Sequence, residues 1–288
     1  MKITVVTPSF NQGRFIEETI KSVISQEGDF FLEYIIMDAV STDETVEVIK
    51  KYERLLEKNK FPVKCKGVKL IWKSEKDKGQ THAVNKGFTL ATGEILGWVN
   101  SDDTYQPGAI SKAFEYFKKN KDVMMVYGEG YYIDKAGKAL GKFDSKPFDF
   151  ALLAERCYIF QPAAFIRTAV FKKLGGLDES LHMCMDYEYW IRIGKEYRVE
   201  YLPGEHLANS RVYAETKTLS RTPEAYEEGI KVVRKYYGKV PDAWFYGLAH
   251  YSALRSFPRL SGIKPVLILL TMSGYVLKKA KTMLFGQR

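Results

Sequence analysis

Cysteine is scarce in this 288-residue chain: Cys65, Cys157 and Cys184 are odd in number, widely spaced and form no CxxC pair. That argues against a disulfide framework or a structural zinc site and suits a reducing cytoplasm. The apolar start Ile3-Thr4-Val5-Val6 ends at Pro8, too short for a targeting segment. Pro265–Leu277 carries no charge, yet falls short of the roughly 18 residues that a membrane-spanning helix needs. Internal repeats and low-complexity linkers are also missing, so the expectation is one catalytic domain over residues 1–220, with halves at 1–105 and 106–220. A helical C-terminal extension then covers 221–288. A net charge of +9 invites nucleic acid, an anionic membrane or a phosphorylated small molecule as partner. Lys and Arg are spread along the chain without a recognisable nucleic-acid module, so no nucleic-acid partner is expected.

What is present in residues 1–105 is an alternation of short apolar runs with segments of helical period, the pattern of an α/β layer with a mainly parallel central sheet. Strands are expected at Lys2–Pro8, Leu32–Asp38, Val68–Lys73 and Ile95–Asn100. Helices are expected between them at Arg14–Gln26, Asp43–Lys58 and Gln80–Ala91. The first helix has a clear stripe of Phe15, Ile16, Thr19, Ile20, Val23 and Ile24. Each strand runs into polar residues (Thr7 and Ser9, Asp38, Ser74, then Asn100 to Asp103), where open parallel sheets bind their ligands. Beyond Tyr105 the pattern is mixed: a helix at Gly108–Lys119, a strand at Val123–Tyr127, a hairpin turn near Gly137, and helices at Thr168–Leu174 and from Asp186. The C-terminal helices are expected at Pro223–Tyr237, Pro241–Ser256 and Lys264–Lys281.

Two groups of carboxylates stand out. Asp102 and Asp103 after a buried strand suit a hard cation that keeps sites for phosphate oxygens, although Asp in a turn is also common structural chemistry. Asp186 opens a helix through Asp186-Tyr187-Glu188-Tyr189-Trp190, where it is favoured by the helix dipole. The plain reading makes it a cap and Glu188 a solvated first-turn acid.

The ordered set of segments resembles the family 2 glycosyltransferases, inverting enzymes of the GT-A nucleotide-diphospho-sugar transferase fold. It runs from Val5-Val6-Thr7-Pro8-Ser9-Phe10-Asn11 through Met37-Asp38-Ala39-Val40-Ser41-Thr42-Asp43 to Ser74-Glu75-Lys76-Asp77-Lys78-Gly79-Gln80 with Asn85-Lys86-Gly87. Then follow Ala91-Thr92-Gly93-Glu94-Ile95, Asn100-Ser101-Asp102-Asp103, Gln161-Pro162-Ala163, Gly175-Gly176-Leu177-Asp178-Glu179 and the Asp186 segment. The resemblance covers roughly residues 1–215. It implies transfer of a sugar from a UDP, GDP or dTDP donor to a hydroxyl of a glycan or lipid-linked acceptor, with Mg²⁺ or Mn²⁺.

By the same resemblance Pro8, Ser9, Phe10 and Asn11 would line the base and ribose pocket, and Asp38 would accept a hydrogen bond from the base. Asp77, Gln80 and Asn85 would serve the nucleotide side. Asp102 and Asp103 would hold the metal and diphosphate, Asp103 more directly, with Asp186 as the catalytic base. The stretch Val212–Thr216, bracketed by Arg211 and Lys217, would close over the diphosphate, with Arg211 or Lys217 adding positive charge. Ala39 and Val40 replace two glycines of the family pattern, which implies a changed loop path, and Asn100 replaces a frequent Asp.

A sugar-phosphate nucleotidylyltransferase would place a Gly-rich, basic loop where Ser9-Phe10-Asn11-Gln12-Gly13 stands, so it ranks second. A non-catalytic nucleotide-sugar or nucleic-acid binder would not be expected to keep Asp102, Asp103 and Asp186 together. The segment at 264–288, with Lys278, Lys279, Lys281 and Arg288 after its apolar run, reads either as a buried helix or as a peripheral contact on the cytoplasmic face of a membrane.

Overall fold

The computed structural model describes residues 1–258 and 264–285. Its elements run β1 (Lys2–Ser9), α1 (Gly13–Ile24), β2 (Glu27–Asp38), α2 (Thr45–Glu57), β3 (Lys64–Ser74), α3 (Gln80–Leu90) and β4 (Ile95–Trp98). Next come β5 (Thr104–Tyr105), α4 (Ala109–Lys119), β6 (Val123–Ile133), β7 (Ala139–Lys142), α5 (Phe150–Leu153), β8 (Ala164–Arg167), α6 (Thr168–Leu174), α7 (Met185–Glu196) and β9 (Arg198–Arg211). The chain closes with α8 (Lys217–Ser220), α9 (Thr222–Tyr237), α10 (Asp242–Ser256) and α11 (Lys264–Phe285).

The sheet order is β3-β2-β1-β4-β8-β6-β9-β5, with β7 paired to β6. The β3-β2-β1-β4 half is parallel throughout, as the sequence pattern predicts. Beyond it β8 runs antiparallel to both β4 and β6, while β6 and β9 are parallel. In β1, Ile3, Val5 and Val6 are wholly buried, the continuous apolar run of a strand covered on both faces. The α1 stripe packs as its period requires: Phe15, Ile16, Thr19, Ile20, Val23 and Ile24 are all buried.

The long β6–β9 pair is interrupted. Tyr127 faces Tyr201 but Glu129 faces His206, so β9 spends extra residues in a bulge that contains Gly204 at φ +75. Glu129 pins this bulge: its buried carboxylate accepts from the Tyr201 hydroxyl, pairs with Lys142 at 2.6 Å and meets His206 Nε2 at 3.1 Å. Burial pushes the Glu129 carboxyl up, but hydrogen bonds from Lys142, Tyr201 and the Gly204 N–H outweigh it and hold the group at about 2.

The chain divides into two compact units. One comprises Met1–Phe148 with Tyr158–Val212; the other takes Asp149–Cys157 and the residues from Tyr213 onward. A short internal segment thus joins the helical unit. Within that unit, Tyr237 donates to the Phe150 carbonyl at 2.7 Å and Trp244 Nε1 to the Ala154 carbonyl at 2.8 Å. Helices α9 and α10 approach closely at two glycines. A Cβ on Gly229 would meet the Trp244 ring at 2.2 Å, and one on Gly247 the Tyr226 ring at 2.2 Å. Helix α11 packs on α10, with Tyr275 and Lys279 both donating to Asp242 at 2.8 Å. No helix among the described residues is long and apolar enough to cross a membrane.

Candidate active site

The parallel half of the sheet brings its polar strand ends into one row. Register places Ser9 beside Asp38 and Asp38 beside Ser74, so the ends of β1, β2 and β3 are level. The Asp38 carboxylate accepts from the Ser41 N–H at 3.0 Å, from the Ser41 hydroxyl and from the Ser74 hydroxyl. It thus folds the loop after β2 back over the strand ends. The loop after β1 is laced to it: Asn11 N–H donates to Ser41, Thr42 N–H to the Asn11 side-chain oxygen at 2.8 Å, and Gly13 N–H to Asp43 at 2.9 Å.

Within these loops Pro8 is buried, the Phe10 ring is 57% exposed, and the Ser9 hydroxyl is buried without a partner among the described residues. Asn11 takes φ +50, which Asn tolerates. Val40 takes φ +61, so its backbone sits where a glycine would, despite the branched side chain.

Asn100, just beyond β4, is the hub of the next layer. Its Oδ1 accepts from Gln80 Nε2 at 2.7 Å and Trp98 Nε1 at 2.9 Å, and its Nδ2 donates to Asp103 Oδ2 at 3.0 Å and Gln161 Oε1 at 3.3 Å. Gln161 in turn donates to the Trp98 carbonyl at 2.7 Å. An Asp at this position would lose both donated bonds and add charge beside another carboxylate, which accounts for Asn here. The sequence marks Asn100 and Gln161 as parts of matching segments, Asn100 also as a frequent Asp position; the organising role of both comes from their geometry.

Asp103 is 2% exposed, with Oδ1 accepting the Arg211 N–H at 2.8 Å and Oδ2 the Asn100 amide. Burial, and then the neighbouring Asp102 charge, push its carboxyl well above the ordinary carboxylate range. Asp102 is the more accessible of the two. A buried carboxylate whose charge is penalised by burial and by an adjacent Asp fits a hard divalent cation, which would offset both penalties. Among the described residues no group of three or more His, Cys, Asp or Glu could hold a metal ion.

Two residues expected at the donor make several hydrogen bonds within the protein. Arg211 is fully buried: Nε donates to the Asp102 carbonyl at 3.0 Å, Nη1 to the carbonyls of Asp134 and Lys135, and Nη2 to Glu18 at 2.5 Å. Its guanidinium lies over the Phe15 ring at 4.7 Å. These contacts hold the Asp102–Asp103 turn against α1 and the β6–β7 hairpin. Asn85 clamps the loop before α7, accepting the Leu177 N–H at 2.8 Å and donating to the Leu177 carbonyl at 2.9 Å. Thr81 holds the same loop through the Leu181 carbonyl at 3.0 Å. Asp77 accepts the Gly79 N–H at 2.7 Å and fixes the turn into α3.

The α7 helix places Asp186 in its first turn, partly exposed, with Oδ1 accepting the Tyr187 N–H at 2.8 Å. Glu188 is buried, not solvated, because Arg192 one turn on pairs with it at 2.9 Å. Arg192 also donates to the carbonyls of Leu174 and Gly176, anchoring the helix to the Gly175-Gly176 turn. Tyr189 and Trp190 line a small cavity with Trp98 and Gln161, so the Asp186 helix and the Asn100 hub share a wall.

The family model described as glycosyl transferase family 2 matches residues 4–175. An uncharacterized glycosyltransferase of Methanocaldococcus jannaschii is 27% identical over 227 residues, covering 76% of this chain and 73% of the relative. Among solved structures, Staphylococcus aureus TarS residues 1–349 in complex with UDP-GlcNAc superposes with a TM-score of 0.62 at 19% identity, over 91% of this chain and 75% of that one. The mannosyltransferase PcManGT of Pyrobaculum calidifontis, in complex with GDP-Man and Mn²⁺, gives 0.62 at 18% identity, over 99% and 88%. At these identities the structural likeness establishes the fold, the GT-A arrangement that the sequence resemblance implies.

Proposed function

Because the chain belongs to glycosyl transferase family 2 and is a glycosyltransferase, we propose that it is a metal-dependent, inverting enzyme with Asp186 as general base. The donor is a nucleoside-diphosphate sugar carrying UDP, GDP or dTDP, and the acceptor is a hydroxyl of a glycan, free or lipid-linked. The observation that carries this reading is the Asp102–Asp103 turn, held at the carboxyl edge of the sheet by Asn100 and Arg211 beyond the Ser9, Asp38 and Ser74 row.

Pro8, Ser9, Phe10 and Asn11 frame the base and ribose, Phe10 offering a ring face and Ser9 an unpartnered hydroxyl. Asp38 orders its loop and takes a further hydrogen bond from the base. Asp77 and Gln80 shape the nucleotide side from the turn into α3. Asp102 and Asp103 would hold Mg²⁺ or Mn²⁺, which when bound neutralises charge gathering on the departing diphosphate. Asp186 accepts the acceptor's hydroxyl proton as the new glycosidic bond forms and the anomeric carbon–phosphate oxygen bond breaks on the opposite face. Asn85 and Arg211 act by placement, the first on the loop before α7 and the second on the Asp102–Asp103 turn.

Two observations about similar proteins support the donor class: TarS is in complex with UDP-GlcNAc, and PcManGT with GDP-Man and Mn²⁺. The test is thermal stabilisation by UDP, GDP, dTDP and CMP, each with and without Mn²⁺, on wild type and Asp103→Ala. A nucleotide at a hundred times its dissociation constant adds about 2.7 kcal/mol. The reading expects a Mn²⁺-dependent shift with one nucleotide, lost in the variant. An equal shift with and without Mn²⁺ would remove the metal from the account.

A further inference from the structure

The helical unit ends in an apolar face that the described residues leave open. Along α11, Thr271 is 1% exposed and meets His250 at 3.4 Å, and Gly274 lies against Ala249, so this side faces α10. On the opposite side Ile268, Leu269, Met272, Val276 and Leu277 are between 46% and 70% exposed. Spaced by one, three and four residues, they make a continuous stripe along the helix. On α10, Tyr246 and Tyr251 are exposed as well. Five large aliphatic side chains in water on one helix face form an interaction surface, not scattered surface residues.

Charge decides the occupant. After Asp242 the sequence contains no aspartate or glutamate and seven lysines and arginines. Of these Arg259 and Arg288 lie outside the described residues. A second copy docked on the same face would set this cationic segment against itself. An acidic surface would complement it and at the same time receive the apolar stripe. Because α11 cannot cross a membrane, its stripe would lie in the plane of the interface.

We propose that the α10–α11 hairpin docks on an anionic lipid surface, with Ile268, Leu269, Met272, Val276 and Leu277 entering the acyl boundary and the net positive charge of the segment after Asp242 drawing it to the headgroups. The docking surface is independent of the donor and base assignments, and it gives a lipid-linked acceptor a route to the enzyme.

Flotation of the full chain with vesicles tests this. One set is phosphatidylcholine alone, the other equimolar phosphatidylcholine and phosphatidylglycerol. Wild type should float with the anionic vesicles, stay behind with the neutral ones and be released as salt screens the attraction. Leu269→Glu should lose binding severalfold, and the triple variant Leu269→Glu, Met272→Glu, Val276→Glu at least about tenfold. Both variants should keep the wild-type thermal shift with nucleotide, which separates loss of docking from loss of fold or of donor binding. Wild type failing to float with anionic vesicles, or the triple variant floating like wild type, would overturn the proposal. Self-association abolished by the triple variant, without flotation of wild type, would replace the lipid surface by a second copy.

Discussion

Asn100 donates from Nδ2 to Oδ2 of Asp103 across 3.0 Å, and the Asp103 carboxylate is buried at the end of that bond. The bond ties the Asp102–Asp103 turn to the end of β4. Asn100→Asp would set a third carboxylate beside Asp102 and Asp103 and remove the donors to Asp103 and Gln161. Stability should fall by about 1–3 kcal/mol without metal. Mn²⁺ with nucleotide should restore more of the melting temperature in the variant than it adds to wild type. Thermal melts of both proteins, with and without Mn²⁺, check this.

Asn85 bonds to both the N–H and the carbonyl of Leu177, so its truncation leaves two backbone groups of the loop before α7 without partners. Asn85→Ala should cost about 1–3 kcal/mol of stability and lower kcat, with the nucleotide Kd unchanged within about twofold. Calorimetric titration of nucleotide into the variant is the check. A large loss of affinity at unchanged stability would mean that Asn85 touches the donor directly.

Much of this architecture is legible in the sequence, and the exceptions have physical causes. The α1 stripe from Phe15 to Ile24 and the strands ending at Ser9, Asp38 and Ser74 follow from hydrophobic period alone. Strand β9 does not, because Leu202-Pro203-Gly204-Glu205 breaks its alternation where the bulge forms. Glu188 reads as a solvated acid until Arg192 is seen to cover it. The orientations of Asn85 and Arg211 were not legible at all, since their partners Leu177 and Glu18 lie 92 and 193 residues away. Motif position marks such residues as significant but does not say whether they face a ligand or the protein.

Glu129 gives the fold an acid-sensitive joint. Its carboxyl is held at about 2 in the folded protein, below its unfolded value, so its contribution is present above the unfolded value and lost as pH falls towards 2. Glu129→Gln removes this titration. Wild type should lose on the order of 2 kcal/mol more than the variant between pH values of about 5 and 2. Urea midpoints measured across that range check the difference in slope.

The central claim rests on Asp186, so the most direct measurement is sugar transfer by Asp186→Asn beside its nucleotide affinity. The account predicts that transfer falls by about 10²-fold or more, the scale of a lost general base, while Mn²⁺-dependent nucleotide binding matches wild type. Turnover equal to wild type at equal donor affinity would contradict it and send the search for the base elsewhere on the acceptor side.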